Sequence, residues 1–252
     1  MSRAEPTAGA SDLALQLQGV AVRYGGQEAV APVSAGFARA ALHAIVGPNG
    51  AGKSSLMAAM AGLQPCSGGV VLAPDLHGQV GYLPQRSQVD RSFPIRVAEF
   101  AAMGLWPRLG AWRGLDRRHA DAVEQALQRV GLHALGRRLI AELSTGQFQR
   151  LLFARLCLQE ARLLLLDEPF AALDEDTTCD LLALLREWRS QGRTVIAVLH
   201  EQAVVRSHFD TALLLACSLV LQGSPDDALS PAAWRAAERQ LAGRATGLPL
   251  AA

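Results

Sequence analysis

The sequence predicts an α/β fold in which helices flank a mostly parallel sheet. Short apolar segments at 41–46, 163–166 and 194–199 have the length and composition of buried strands. Segments with helical spacing separate them, and strands that alternate with helices build parallel sheets. A chain of 252 residues is also long enough to bury a core of its own.

A separate sequence pattern predicts each strand and helix. Residues 13–23 alternate as a half-buried strand does, and a Tyr-Gly-Gly turn ends them. The strand at 41–46 runs into a glycine-rich loop, and a helix is predicted from Lys53 onward. Further helices are predicted over 147–160 and 180–191.

The segment from about 91 to 140 is rich in Ala, Leu, Glu and Arg with helical spacing and contains no good strand candidate. It is predicted to be a helical subdomain inserted into one domain, whose core comprises 13–90 and 141–230. A C-terminal tail is expected over 231–252, with its last ten residues loosely ordered. Residues 1–12 are expected to be disordered.

Composition excludes several classes of protein. The formal net charge of +1 leaves no basic footprint for nucleic acid. The four cysteines lie far apart without a CxxC pair, which argues against a zinc ribbon or a disulfide framework and fits a reducing cytosol. No signal-peptide pattern or apolar run of membrane-spanning length is present, so we expect a soluble chain.

A phosphate-binding motif follows the strand at 41–46. Residues 47–54 read GPNGAGKS and match GxxxxGK[ST] at every fixed position. Glycines allow backbone N–H groups to converge on phosphate oxygens, Lys53 would pair with the β- and γ-phosphates, and Ser54 would ligate Mg²⁺. A plain glycine-rich turn is the alternative, but it does not explain why Lys53 is the one lysine among 24 Lys and Arg residues.

The segment LLLLDE at 163–168 supplies the complementary half of a nucleotide site. A buried strand that ends in Asp167 places a carboxylate at the carboxyl edge of the sheet, where it can hold Mg²⁺. Glu168 is then a candidate general base for the attacking water. Taken alone, the segment could also be a strand followed by a solvated acidic turn.

Together with four further motifs, these sites resemble the ATP-binding cassette (ABC) family over nearly the whole chain. VGYLPQ ends in Gln85, LSTGQ spans 143–147, AALD spans 171–174, and TVIAVLH ends in His200. Tyr24 falls where the family stacks an aromatic ring on adenine. The resemblance implies a P-loop NTPase fold of RecA-like type, with an N-terminal antiparallel β region and an inserted helical subdomain.

The resemblance also implies a set of site residues for ATP and Mg²⁺. Catalytic roles fall to Glu168, His200, Gln85 and Lys53, and the Mg²⁺ ligands would be Ser54, Gln85 and Asp167. The residues expected to contact ATP are Tyr24, Gly47, Pro48, Asn49, Gly50, Ala51, Gly52, Lys53, Ser54, Ser55 and, from a second copy, Ser144, Gly146 and Gln147.

The partners implied by the resemblance are a second copy in an ATP-sandwich homodimer, a separate transmembrane permease and a substrate-binding protein, with no nucleic acid. The chain would lie peripherally on the cytoplasmic face of the membrane. Residues 83–104, together with FQR after LSTGQ, are most similar to zinc and manganese importers. The alternatives are an importer of iron chelate, haem or cobalamin, and a non-transport ABC ATPase.

Three positions depart from the family pattern. Thr145 stands where a glycine is usual, Ala171 replaces a serine, and Glu201 follows the histidine where an aspartate is usual. A β-branched side chain at Thr145 is expected to add bulk where two copies would meet. These changes bear on dimer closure and rate more than on the reaction class.

Overall fold

The computed structural model describes residues 12–85, 89–110, 114, 116–171 and 173–245. The strands are β1 Leu13–Tyr24, β2 Gln27–Ala38, β3 Leu42–Val46, β4 Ser67–Leu72, β5 Val80–Leu83, β6 Leu163–Asp167, β7 Thr194–Val198, β8 Thr211–Leu215 and β9 Leu219–Gly223. The helices are α1 Lys53–Met60, α2 Val97–Ala102, α3 Trp106–Leu109, α4 Arg117–Arg129, α5 Thr145–Gln159, α6 Glu175–Ser190, α7 Gln202–His208, α8 Pro225–Ala228 and α9 Pro231–Ala245.

The central sheet has six strands in the order β5-β6-β7-β3-β8-β9. The first five are parallel, and β9 is antiparallel to β8. Every residue of β3, β6 and β7 is buried, as expected for strands covered on both faces. The predicted α/β class is therefore confirmed.

A second sheet of three antiparallel strands, in the order β2-β1-β4, lies near the N-terminus. Its inward side chains share one apolar cluster with α1 and with one face of the central sheet, for example Phe37, Leu56 and Ile45. The antiparallel region expected from the resemblance is present. The sequence patterns did not identify β2 and β4 themselves.

In the described residues, every regular element between β5 and β6 is a helix. The helices α2, α4 and α5 pack against one another, and Phe100, Leu127 and Phe148 contribute to the cluster between them. Helix α5 continues from this cluster toward the central sheet, where Phe153 stacks on Trp188 of α6 with ring centroids 6.1 Å apart. The helical segment is thus tied to the sheet through α5.

Three helix boundaries differ from the predicted ones. Helix α5 begins at Thr145 because Ser144 caps it, and α6 begins at Glu175 because Asp174 accepts a 2.8 Å bond from Thr177 N. The capping residues lie before the apolar periodicity begins, so a prediction from periodicity alone started both helices too late. Helix α9 extends to Ala245, into the last ten residues, which were expected to be loosely ordered. Residues 1–11 and 246–252 lie outside the described part. In that part, no helix is both long and apolar enough to cross a membrane.

A buried histidine lies on β3, the strand that leads into the glycine-rich loop. His43 is 1% exposed; its Nε2 lies 2.9 Å from the Ala38 carbonyl and its Nδ1 lies 2.7 Å from the Thr211 hydroxyl. Since a carbonyl only accepts, Nε2 carries the hydrogen and Nδ1 accepts from Thr211. Burial lowers the pKa of His43, although the Ala38 carbonyl and the charge of Asp210 act in the opposite direction.

We predict that His43 contributes to acid sensitivity. The unfolded chain protonates this histidine below pH about 6.5, whereas the folded state resists, so stability falls as pH decreases. One such group changes the free energy of unfolding by at most about 1.4 kcal/mol per pH unit. Urea unfolding between pH 5.5 and 7.5 should therefore show a flatter pH dependence for His43→Gln than for the wild type. Equal slopes would contradict this prediction.

Candidate active site

The glycine-rich loop at 47–52 joins β3 to α1. Gly47, Gly50 and Gly52 have φ values of 151°, 80° and 86°, which favour glycine. A Cβ on Gly47 would lie 2.0 Å from the Leu215 carbonyl oxygen, and one on Gly52 would lie 2.6 Å from that of Ala29. Gly52 caps α1, whose first N–H groups lack intrahelical acceptors and suit an anion.

Lys53 begins α1 and is 6% exposed. Its Nζ donates to the carbonyl oxygens of Gly47 and Pro48 at 2.8 and 2.9 Å, so the loop curls around the ammonium group. Burial lowers the pKa of Lys53, and the charges of Glu168 and Asp167 oppose that effect. The remaining predicted loop contacts occupy varied environments: Asn49 and Gly50 are exposed, Ala51 is buried, and Ser54 and Ser55 are half-buried.

Asp167 ends β6 and is fully buried. Its Oδ1 accepts a 3.1 Å bond from Ser54 Oγ, and its Oδ2 has no hydrogen-bond partner among the described residues. Burial, opposed mainly by the bond from Ser54, raises the pKa of Asp167 to about 6. An unsatisfied buried carboxylate oxygen beside a hydroxyl is a donor set that fits a hard cation such as Mg²⁺.

Glu168 directly follows Asp167, but its pKa is shifted in the opposite direction. Its Oε1 lies 2.9 Å from His200 Nε2, and its Oε2 accepts a 3.0 Å bond from Gln85 Nε2. Burial alone would raise its pKa, but these two hydrogen bonds and nearby positive charge lower the pKa of Glu168 overall. Its φ of 50° is rare for a residue other than glycine, and the two bonds help to hold it there.

Sheet order explains why these groups meet. Gln85, Glu168 and His200 each follow a strand, and β5, β6 and β7 are neighbours in the sheet. The adjacent β3 leads into the glycine-rich loop. The carboxyl ends of parallel strands share one edge, so these four neighbouring strands bring Gln85, Glu168, His200 and the glycine-rich loop together.

Tyr24 is the last residue of β1 and is 48% exposed. The structure places a second tyrosine in its neighbourhood, Tyr82 on β5, which the sequence analysis did not single out. Burial raises the pKa of Tyr82 to about 12, with smaller contributions from Asp167 and Tyr24. Its position three residues before Gln85 was an available signal.

The segment LSTGQ forms the start of α5. Ser144 Oγ accepts from Gln147 N at 3.2 Å, and Gln147 Oε1 accepts from Ser144 N at 2.9 Å, which is a capping box. Thr145 and Gly146 do not have positive φ, and a Cβ on Gly146 would make an ordinary 3.5 Å contact with Leu173. The backbone here therefore does not require glycine, and Thr145 fits as the first helical residue.

In the described residues, no hydrogen bond or ion pair joins LSTGQ to the glycine-rich loop, to Asp167 or to Glu168. A buried link does connect α5 to the loop after Glu168: Gln149 is 1% exposed, and its Nε2 donates to the Pro169 carbonyl at 2.8 Å. The sequence analysis missed this residue, although a polar side chain on an apolar helix face was a signal. Of the other departures, Ala171 is half-buried and Glu201 is exposed at the start of α7.

Comparisons with known proteins agree with this geometry. Residues 30–171 match the ABC transporter family. The chain is 36% identical over 214 residues to the manganese transport system ATP-binding protein MntB of Listeria innocua, covering 83% of this chain and 89% of that protein. It is 34% identical to the zinc transport system ATP-binding protein TroB of Treponema pallidum, covering 85% and 83%.

Solved structures show the same fold. A metal-chelate type ABC transporter in an inward-facing conformation matches with a TM-score of 0.78 and 24% identity, over 90% of each chain. The ATP-binding cassette MJ1267 in its ADP conformation matches with a TM-score of 0.74 and 19% identity, over 90% of this chain and 98% of the other. The chain belongs to the ABC transporter family, and it is an ATP-hydrolysing subunit of that family.

Proposed function

We propose that this chain is the ATPase subunit of an importer that takes up a divalent metal ion, manganese or zinc, through a separate permease. One observation carries the ATPase assignment: Gln85 and His200 both hold the Glu168 carboxylate, beside the buried pair of Ser54 and Asp167. The names of its relatives in Listeria and Treponema support the cargo. An importer of iron chelate, haem or cobalamin is not favoured by these relatives.

The chain's part in ATP binding follows from the loop and the sheet edge. Backbone N–H groups of the glycine-rich loop and the start of α1 receive the phosphates, and Lys53 balances their charge. Ser54 and Asp167, with Gln85 from the neighbouring strand, would hold Mg²⁺, which neutralises phosphate charge when bound. A pKa of about 6 leaves Asp167 mostly ionised at neutral pH, as a metal ligand must be.

Glu168 is the group that we assign to the attacking water. Its lowered pKa keeps the carboxylate ionised and able to accept a hydrogen bond from water. The side chains of Gln85 and His200 fix its position, and positioning is the main requirement of phosphoryl transfer. Gln85 bonds to Glu168 through Nε2, so it can keep this bond while its Oε1 ligates Mg²⁺. His200 uses Nε2 for Glu168, so this nitrogen would have to leave Glu168 to contact the γ-phosphate.

We assign the LSTGQ segment to the nucleotide of a second copy. The N–H groups of Thr145 and Gly146 at the start of α5 have no intrahelical acceptor and suit phosphate. Ser144 is exposed, and in the part of the chain that the structure describes no hydrogen bond or ion pair ties the segment to its own site. The functional unit would then be a homodimer with two shared sites. Helix α5 also carries the link through Gln149 to the loop after Glu168, so it would connect the two sites.

The permease contact is assigned to the surface between the sheet and the helical segment. Phe93, which lies in the segment expected to face the permease, is 65% exposed, and Leu139 is 37% exposed. Exposed large apolar side chains are typical of protein interfaces. In this arrangement the chain lies on the cytoplasmic face of the membrane, and a substrate-binding protein delivers the ion to the permease.

Replacing Glu168 by Gln should preserve ATP binding but abolish nearly all turnover, because the amide keeps the shape and loses the proton acceptor. Replacing Lys53 by Ala should instead weaken nucleotide binding itself. Fluorescent ATP titration and phosphate release would separate the two effects, and Glu175→Gln, an exposed acid in the first turn of α6, is the matched control. Wild-type turnover in Glu168→Gln would exclude Glu168 as the base.

Because Thr145 is the first residue of α5 and has no positive φ, we expect Thr145→Gly to change ATP-driven dimerisation only modestly. In a Glu168→Gln background the shift should stay below about tenfold, equivalent to about 1.4 kcal/mol. Light scattering against ATP concentration measures it, with Thr145→Ser as the variant that keeps the hydroxyl. A hundredfold shift in either direction would show that Thr145 controls closure.

Loss of the gene should impair growth in medium treated with a metal chelator, and added zinc or manganese should restore it. Complementation with the wild-type gene should also restore growth, whereas the Lys53→Ala gene should not, since transport depends on ATP. Rescue only by iron chelates or cobalamin would assign the chain to that class of importer instead.

A further inference from the structure

The back of the glycine-rich loop is held by a turn at the far end of the chain. This clamp turn comprises residues 215–218 and joins β8 to β9. Within it, Cys217 N donates to the Ala51 carbonyl at 2.9 Å, and Cys217 Sγ lies 3.6 Å from the Gly50 carbonyl. The Leu215 carbonyl closes the space behind Gly47.

The clamp turn also contacts the strand on the other side of the loop. Ala31 N, on β2, donates to the Cys217 carbonyl at 2.6 Å. The neighbouring Ala29 carbonyl lies against Gly52. The loop is therefore held between β2 and the clamp turn, and these two walls are bonded to each other at Cys217.

Helix α9 supports both walls. Gln240 Nε2 donates to the Ala216 carbonyl at 2.8 Å and to Ser218 Oγ at 2.5 Å, so it bonds to the residues on either side of Cys217. Arg244 lies 3.5 Å from the Cys217 carbonyl and forms an ion pair with Glu28 at the start of β2. One turn of a single helix thus contacts both sides of the cradle.

Cys217 itself needs such support. It is 7% exposed and has a φ of 59°, a backbone conformation that side chains other than glycine rarely adopt. Such residues persist where the surrounding structure determines them. Ala31 and Arg244 contact the Cys217 carbonyl, and Gln240 bonds to the residues on either side of it. Together these contacts hold Cys217 in this conformation.

We propose that Gln240 and Arg244 of α9 are positioning residues for ATP binding, because they hold the clamp turn against the glycine-rich loop. This inference rests on the assignment of that loop to the phosphates of ATP. Among the described residues, no hydrogen bond or ion pair joins either side chain to the loop itself. Gln240 acts through Ala216 and Ser218 of the clamp turn, and Arg244 acts through Cys217 and through Glu28 of β2. The affinity for ATP then depends on α9, whereas the chemistry at Glu168, which follows β6, does not.

The test is a titration of the full chain with a fluorescent ATP analogue in Mg²⁺, together with steady-state hydrolysis and thermal unfolding. Gln240→Ala and Arg244→Ala should each raise the Kd and the KM for ATP about tenfold, within the range typical of coupled sites. The kcat at saturating ATP and the Tm should stay close to wild type. Arg235→Ala is the matched control, because Arg235 bonds within α9 to Pro231.

Two further variants test the route through Cys217. Gln240→Glu keeps the shape but loses the donor to the Ala216 carbonyl, so it should reproduce the weaker binding even if Gln240→Ala folds poorly. Adding Cys217→Gly to Gln240→Ala should restore much of the affinity, because glycine adopts the required φ without strain.

Two outcomes would overturn the inference: Kd values within twofold of wild type for both Gln240→Glu and Arg244→Ala, or an equal increase for Arg235→Ala. These outcomes are distinct from failure of the proposed function. If the wild type did not bind ATP, or if Lys53→Ala bound it equally well, the assignment of the loop itself would be wrong.

Discussion

Two carboxylates at the end of one buried strand impose the main constraint on this structure. Asp167 and Glu168 are consecutive, yet burial raises the pKa of the first and hydrogen bonds lower that of the second. Adjacent acids stay distinct only if each has its own partners. Ser54 supplies the partner on one side, and Gln85 and His200 supply those on the other.

The architecture provides these partners through strand order. Since β5, β6, β7 and β3 are neighbours, the loops after them open at one edge, and each contributes a different group. Strand β2 and the clamp turn then lie behind the glycine-rich loop, and α9 bonds to the clamp turn. Helix α5 runs from the LSTGQ segment, in which Ser144 is exposed, to a bond with the loop that follows Glu168. The groups that we assign to ATP binding, to chemistry and to partner contact are therefore connected through the same sheet and helix α5.

The local backbone conformation determines whether a position in a family motif requires glycine. Thr145 is expected to add bulk where two copies would meet, and within one chain the position is the first turn of a capped helix, whose backbone does not require glycine. By contrast, Gly47 and Gly52 stand against carbonyl oxygens, where any Cβ would clash. The backbone therefore requires glycine at positions 47 and 52 but not at position 145.

The sequence by itself determined the α/β class, the phosphate loop and the acidic strand end, because these depend on local patterns of glycine, apolar runs and charge. It also predicted Gln85 and His200, through the order of motifs. Only the tertiary structure decided that both residues bond to Glu168, that Tyr82 lies beside the site, and that Gln240 reaches the clamp turn. Those contacts join residues far apart in the chain, and no local periodicity encodes which strands become neighbours or which helix covers a turn.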